Sequence, residues 1–397
     1  MGTGPAGREK EGQRGMQRAL GGKEITRLTI ASVRVRVVSR RYRKPFSISS
    51  GTTDKLVSLI VEVRAEETGS LTGYGETTPM TAFSGETAAG IAEAVEGYLG
   101  PAVVGRDAFD VAGLHLAMDR AIRGQRLAKA GLDLAVHDLI GKALGVPVAA
   151  LLGGRVRERV ALAWVIGLGA VDEVIEEAVR YVQLGFRHIK VKTGNDPRRD
   201  LELIAELAAQ LPDGVELALD ANEAYDSHTA LHVLRKMESK GLSLVEQPLP
   251  RWDLAGMARL AGALDVPVMA DESLQSVHDA IELVRHQACD VFNIKILKVG
   301  GLYRARQVAA VAEAAGIPVK VGSMPELGVA TLAGAHLAAA TPGAVVPADL
   351  IGPLMVEADV LGSPRLTERE CPGWLEVPGA PGLGGEVVYD GLGDRAR

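Results

Sequence analysis

Cysteine is nearly missing from these 397 residues: only Cys289 and Cys371 occur, so neither a disulfide framework nor a CxxC metal or redox site is on offer. Positive charge is not in excess either. The formal net charge is −6, which supplies no general attraction to nucleic acid or to an anionic membrane and leaves small polar molecules as the expected partners. No stretch is long and apolar enough to span a bilayer. Residues 1–24 are rich in glycine and charge and lack the apolar segment of a secretory signal, so a disordered leader and a cytoplasmic protein are expected. The GLG at Gly167 to Gly169 lacks the remaining glycines of a dinucleotide phosphate turn, which argues against a nicotinamide enzyme.

What is present is an ordinary globular balance, 47% apolar and 24% charged, in a chain long enough for a barrel plus one further domain. Five short apolar runs each end in charged residues: HIKVK at Lys190 and Lys192, ELALDAN at Asp220, SLVEQP at Glu246, PVMADES at Asp271 and VFNIK at Lys295. From Lys192 onward the intervals are 28, 26, 25 and 24 residues, which suits one strand, one helix and two short loops per unit. The period extends back to ALAWVIG at Trp164 and forward to PVKVGSM at Gly322 and VVPADL at Asp349. Eight strand ends make a complete barrel of the (β/α)8 type, whose active face lies at the carboxyl ends of its strands.

Ahead of the barrel, LTIASVRVRVV and LVSLIVEVRAEE alternate as strands do, with KPFSISSGTTDK between them. A GYGE turn at Gly73 to Glu76 and alanine-rich helical sequence follow, so residues 25–155 are expected to form a separate α+β capping domain. The barrel is assigned to 156–360, and the Pro- and Gly-rich segment 361–397 is expected to return to the first domain. Loops 46–53 and 77–87, rich in Ser, Thr and Gly, either close over a neighbouring site or serve as plain connections. In AKAGLDLAVHDLIGKALG, helical packing accounts for the charges and for His137.

Asp220, Glu246 and Asp271 end three successive strands and would converge over the barrel mouth, where like charges repel unless a cation lies between them. Hard oxygen ligands without Cys or His select Mg2+, or Mn2+ as a substitute. The alternative is that each acid pairs with a strand-end lysine. Lys192 and Lys295 flank the three acids from opposite sides, so the α-carbon of a metal-bound carboxylate would lie between two amines. An amine with a lowered pKa could then act as the base while the metal stabilises an enediolate. Lys190 lies two residues before Lys192 and so points the same way, towards the substrate carboxylate. The bland alternative for these lysines is a surface position at a strand end.

Through GYGE, LLGGRVR, KVK, DAN, VEQP, ADES, NIK, VGSM, GPLM and PGLG the chain resembles the enolase superfamily, from about Ile25 to the tail. Within it the resemblance is to the muconate lactonizing enzyme subgroup, which includes muconate cycloisomerase and the dipeptide epimerases. It implies an α+β capping domain on a modified (β/α)7β TIM barrel, with the eighth helix missing or displaced. It also implies metal ligands at Asp220, Glu246 and Asp271 and acid/base lysines at Lys192 and Lys295. Lys190 and Asn222 match auxiliary positions, and Glu272 matches the acid beside the last ligand. A homo-oligomer is expected on the same ground. Where the subgroup's dipeptide epimerases have a DxD motif, this chain has Asp349, Leu350 and Ile351, and DLIGPLM looks like the ELFGPLL of muconate cycloisomerases. Asp349 therefore either holds a cationic substrate nitrogen or caps a strand.

The expected function is a Mg2+-dependent isomerase acting on a small carboxylate. A racemase or epimerase for an amino-acid-derived substrate is placed ahead of a muconate-type cycloisomerase or a dehydratase of the same subgroup. A metal-independent Schiff-base lyase is a distant third, and a non-catalytic binding protein has no use for clustered acids.

Overall fold

The computed structural model describes residues 25–48, 51–69, 71–194, 196–389 and 395–396, so the expected leader over 1–24 lies outside the described residues. β1 (Ile30–Ile48), β2 (Gly51–Ala65) and β3 (Thr72–Thr77) form an antiparallel sheet. The helix Arg126–Leu144 lies across it, buried almost throughout. The glycines of GYGE permit that approach: a Cβ on Gly73 would stand 2.1 Å from the Ala135 carbonyl oxygen. Gly145, at φ 71°, ends the helix in the left-handed conformation that a Cβ disfavours. The charges of this helix serve packing, as expected. Asp133 accepts from the Leu302 amide at 2.6 Å and pairs with His115, while Asp138 accepts from the Tyr74 and Leu383 amides.

One expectation needs correction here. KPFSISSGTTDK is not simply a loop, because Phe46, Ser47 and Ile48 pair with Thr53, Thr52 and Gly51 beyond a register shift after Arg41. The β-branched and aromatic residues at 46–48 and 51–53 extend the hairpin as a two-stranded ribbon. The ribbon docks on the barrel, where the Leu168 amide donates to the Ser47 carbonyl at 2.9 Å.

The second part is a cap-covered barrel. β4 (Ala163–Ile166), β5 (His188–Lys192), β6 (Glu216–Asp220), β7 (Leu242–Glu246), β8 (Val268–Ala270), β9 (Val291–Lys295) and β10 (Val319–Gly322) form one parallel sheet in that order. Residues 346–349 close it: Ala348 bridges Leu162, Val346 bridges Lys320, and the Asp349 amide donates to the Val321 carbonyl at 3.2 Å. Only the four-residue helix Gly352–Met355 follows this eighth stave directly, where a regular barrel would place a full helix. Trp164, expected at a strand end, sits inside β4 and faces outward. Its ring stacks on Tyr181 with centroids 3.3 Å apart, and Val165 takes the inward place. Among the described residues no helix is long and apolar enough to cross a membrane.

Cap and barrel are joined through a buried acid. Glu76, at the end of GYGE, accepts from Ser58 Oγ at 2.8 Å and from the Leu327 and Ala330 amides at 2.6 and 2.9 Å, at the start of the helix Gly328–Ala340. Free amides at a helix start are matched by an acceptor from the other domain. Glu76→Ala is expected to lower unfolding free energy by about 2–4 kcal/mol in a denaturant titration, since two buried amides lose their acceptor. Burial, with Asp359 nearby, raises Glu76 to about 7. The folded state therefore binds this proton more tightly than the unfolded chain. The associated stability is complete below about pH 4.5 and is lost as pH rises through about 7, a slope that Glu76→Gln should reduce.

Candidate active site

The strand register fixes the site. Lys192 lies level with Asp220, and Asp220 with Glu246, while Asp271 stands one residue beyond β8. Period-two alternation sends Lys190 with Lys192, and Asn293 with Lys295, into the barrel. One carboxylate oxygen from each of Asp220, Glu246 and Asp271 lies within 4.8 Å of the others, and all three residues are fully buried. An all-oxygen donor set so close together fits a hard divalent cation such as Mg2+.

The acids are also paired with lysines, so both readings of them hold together. Lys192 Nζ is 2.6 Å from Asp220, Lys190 Nζ is 2.7 Å from Glu246, and Lys295 Nζ is 2.7 Å from Asp271. Lys298 adds a second cation on Asp271, at 2.5 Å from Oδ1, and donates to the Asp271 and Asn293 carbonyls. Burial pushes the Lys295 ammonium down, but Asp271, Glu246 and Glu272 outweigh it and hold the group above the usual lysine value. Lys190 is held high in the same way, by Asp349, Glu246 and Asp220. For Lys295 the lowered pKa expected of a base is thus not supplied by the carboxylate cage alone. Burial, reinforced by Asp271 and Asp220, raises Glu272 to about 8.

Asn222 links the outer members. Its Oδ1 accepts from Lys192 Nζ at 2.8 Å and its Nδ2 donates to Glu272 at 2.9 Å. Asn222 and Glu223, at φ 43° and 67°, and Gln247, at φ 35°, all take left-handed backbone immediately beyond strand ends. Such strain gathers where a fold holds functional side chains in place. Gln247 also receives the Asp271 and Ser273 amides on its Oε1, which pins the ADES turn.

Asp349 lines the cavity but is already held, with Oδ2 2.5 Å from Lys190 Nζ and Oδ1 2.7 Å from Lys320 Nζ. Burial favours its protonated form, but the two lysines prevail and lower it to about 2. The cavity is about 130 Å³. Phe46 from the hairpin ribbon, Met80 and Phe83 from the segment 77–87 with its short helix Thr81–Ser84, and Val165, Ile351 and Met355 give it an apolar wall, so both cap segments reach the site. Lys190, Lys192, Asn222, Glu272, Lys295 and Asp349 line the polar side.

Asn293, Lys298, Lys320 and Gln247 escaped the sequence reading. Asn293 donates to Glu246 at 2.7 Å and precedes Lys295 by two positions, so the alternation that selected Lys190 would have found it. Lys320 precedes Gly322 in the same way. Lys298 sits on the short helix Ile296–Val299, outside that alternation.

The sequence matches two family descriptions: "Mandelate racemase / muconate lactonizing enzyme, N-terminal domain" over residues 30–153, and "Enolase C-terminal domain-like" over residues 173–390. It is 35% identical to muconate cycloisomerase 1 of Rhodococcus opacus over 373 residues, 93% of this chain and 98% of that one. A solved N-succinyl Arg/Lys racemase from Bacillus cereus superposes with a TM-score of 0.87 at 30% identity, covering 91% of this chain and 96% of that one. A dipeptide epimerase from Enterococcus faecalis, complexed with Mg and the dipeptide L-Leu-L-Tyr, gives 0.86 at 33% identity and covers 90% and 99%.

Proposed function

The chain belongs to the mandelate racemase / muconate lactonizing enzyme family of the enolase superfamily, and from that premise we propose a Mg2+-dependent racemase or epimerase acting on an amino-acid-derived carboxylate. One arrangement carries the reading. Lys192 and Lys295 end strands four places apart in a barrel of eight staves, on either side of Asp220, Glu246 and Asp271.

Once bound, the divalent ion would be held by Asp220, Glu246 and Asp271 and would stabilise the negative charge that grows on a substrate carboxylate as its α-proton leaves. The chain's own residues move the proton. One lysine takes it from one face of the α-carbon and the other returns a proton to the opposite face, as inversion of configuration requires. Asn222, fixed by Glu272, aims the Lys192 amine. Phe83 lies 5.3 Å from Lys295 Nζ and keeps bulk water from that amine. Asn293 orients Glu246, and Gly322 makes room for it: a Cβ there would stand 2.1 Å from Asn293 Oδ1. Gly322→Ala should therefore weaken Mg2+ binding roughly 10- to 100-fold in a calorimetric titration, the usual effect of disturbing a ligand's support.

Incubation with N-acyl amino acids and dipeptides in D2O tests the reading: α-deuteration with loss of stereochemical purity and no new ring is the expected result. A muconate-type cycloisomerase is the second reading, supported by the Rhodococcus opacus relative and by DLIGPLM. Lactone formation from cis,cis-muconate without any amino-acid exchange would establish it instead. Activity that survives EDTA would point to the Schiff-base lyase. The same proposal has the enzyme working in the cytoplasm as a homo-oligomer.

A further inference from the structure

Both oxygens of Asp349 face a lysine. Lys190 donates to Oδ2, Lys320 stands 2.7 Å from Oδ1 as an ion pair without an aligned hydrogen bond, and all three residues are buried, Asp349 at 4%, Lys190 at 2% and Lys320 at 1% exposed. The two lysines approach from different places. Lys190 lines the cavity, whereas Lys320, level with Asn293 on the neighbouring strand, reaches up from the apolar layer beneath. There it borders a second pocket at the opposite mouth of the barrel, among Val291, Pro318 and Val346. An ammonium in such a layer is strongly unfavourable unless paired, so Lys320 and Asp349 commit each other.

The surrounding charges run the same way. Lys190, Lys192, Lys295, Lys298 and Lys320 are ion-paired to only four carboxylates, Asp220, Glu246, Asp271 and Asp349. At Asp349 itself two ammonium groups face one carboxylate, and a divalent cation would add to that local positive charge. Of the other acids of the wall, Glu223 accepts from the Arg251 amide, and Glu272, beside Asp271 rather than Asp349, accepts from Asn222 on Oε1 while its Oε2 has no hydrogen-bond partner.

We propose that Lys320 sets the charge selectivity of the site: by occupying Asp349 from below it denies a substrate ammonium its acceptor, so the substrate's nitrogen arm is neutral or anionic. This rests on the racemase or epimerase reading and narrows it to N-acylated rather than free-amino substrates. Lys320 touches no substrate and is a positioning residue, acting through Asp349.

The test uses three probes on one amino acid, N-succinyl-, N-propionyl- and N-glycyl-L-phenylalanine, whose arms are anionic, neutral and cationic. Their affinities for the Mg2+-loaded full chain are measured by calorimetry. The succinyl and propionyl probes should bind more tightly than the glycyl probe, by on the order of tenfold. In Lys320→Met, Asp349 Oδ1 is released, and the glycyl probe should gain on the order of tenfold relative to the propionyl probe. A purely structural role for Lys320 would weaken all three alike. Glycyl binding as tight as propionyl binding in the unaltered protein overturns the inference, as does binding by none of the three or an unchanged ranking in folded Lys320→Met. Should that variant fail to fold, the ranking in the unaltered protein decides. Deuterium exchange at the α-carbon of the same probes tests the isomerase reading separately, because binding in the expected order without exchange would sink that reading and spare this one.

Discussion

Lys295→Ala should lower the rate of inversion by about a thousandfold or more, the range expected when a positioned proton-transfer group is lost. The protein should still fold and take up its metal. Lys295 has Asp271 as its partner at 2.7 Å, and Lys298 remains on the same carboxylate at 2.5 Å, so its removal strands no buried charge. Lys192→Ala should behave alike, because Lys190 stays 3.6 Å from Asp220. The two variants should differ in what survives. Each keeps one base on one face of the α-carbon, so each should exchange the α-proton of one enantiomer in D2O without inverting it, and the enantiomer should switch between them. Near-full inversion by either variant would contradict its acid/base role.

Removing the divalent ion should have a comparable effect. Treatment with EDTA is expected to reduce turnover at least about a thousandfold, and Mg2+ to restore it, since a cation held by the three acids would supply several kcal/mol of charge stabilisation. Unfolding should not accompany the loss. The cluster that would repel itself in an uncompensated site is neutralised here by its own lysines, with every one of Asp220, Glu246 and Asp271 in an ion pair. A melting curve before and after chelation, read beside the activity, distinguishes a lost reaction from a lost fold.

The clustering of the candidate site was legible in the sequence because a parallel barrel brings one position per strand period to the same mouth. Lys192, Asp220, Glu246 and Lys295 stand on strand ends and Asp271 just beyond one, so counting was enough to bring them together. Counting fails where direction matters. Trp164 keeps the period but faces the helix Val171–Gln183, and only the alternation within β4 shows that Val165 faces inward. It fails again where partners come from distant chain. Glu76 reads as the end of a turn, yet its acceptors serve amides some 250 residues later at Leu327 and Ala330. The sequence leaves Asp349 open between a substrate contact and a strand cap because Lys320, the residue that engages it, reads as one more lysine in an apolar strand.

Mg2+ titration of the full chain by calorimetry, beside Asp271→Asn, puts the central claim to the most direct test. The carboxylate cage predicts one ion per chain in the unaltered protein, with affinity lowered severalfold or more in the variant. An unaltered protein that takes up no Mg2+ or Mn2+, or a variant that binds as well as the original, would contradict it.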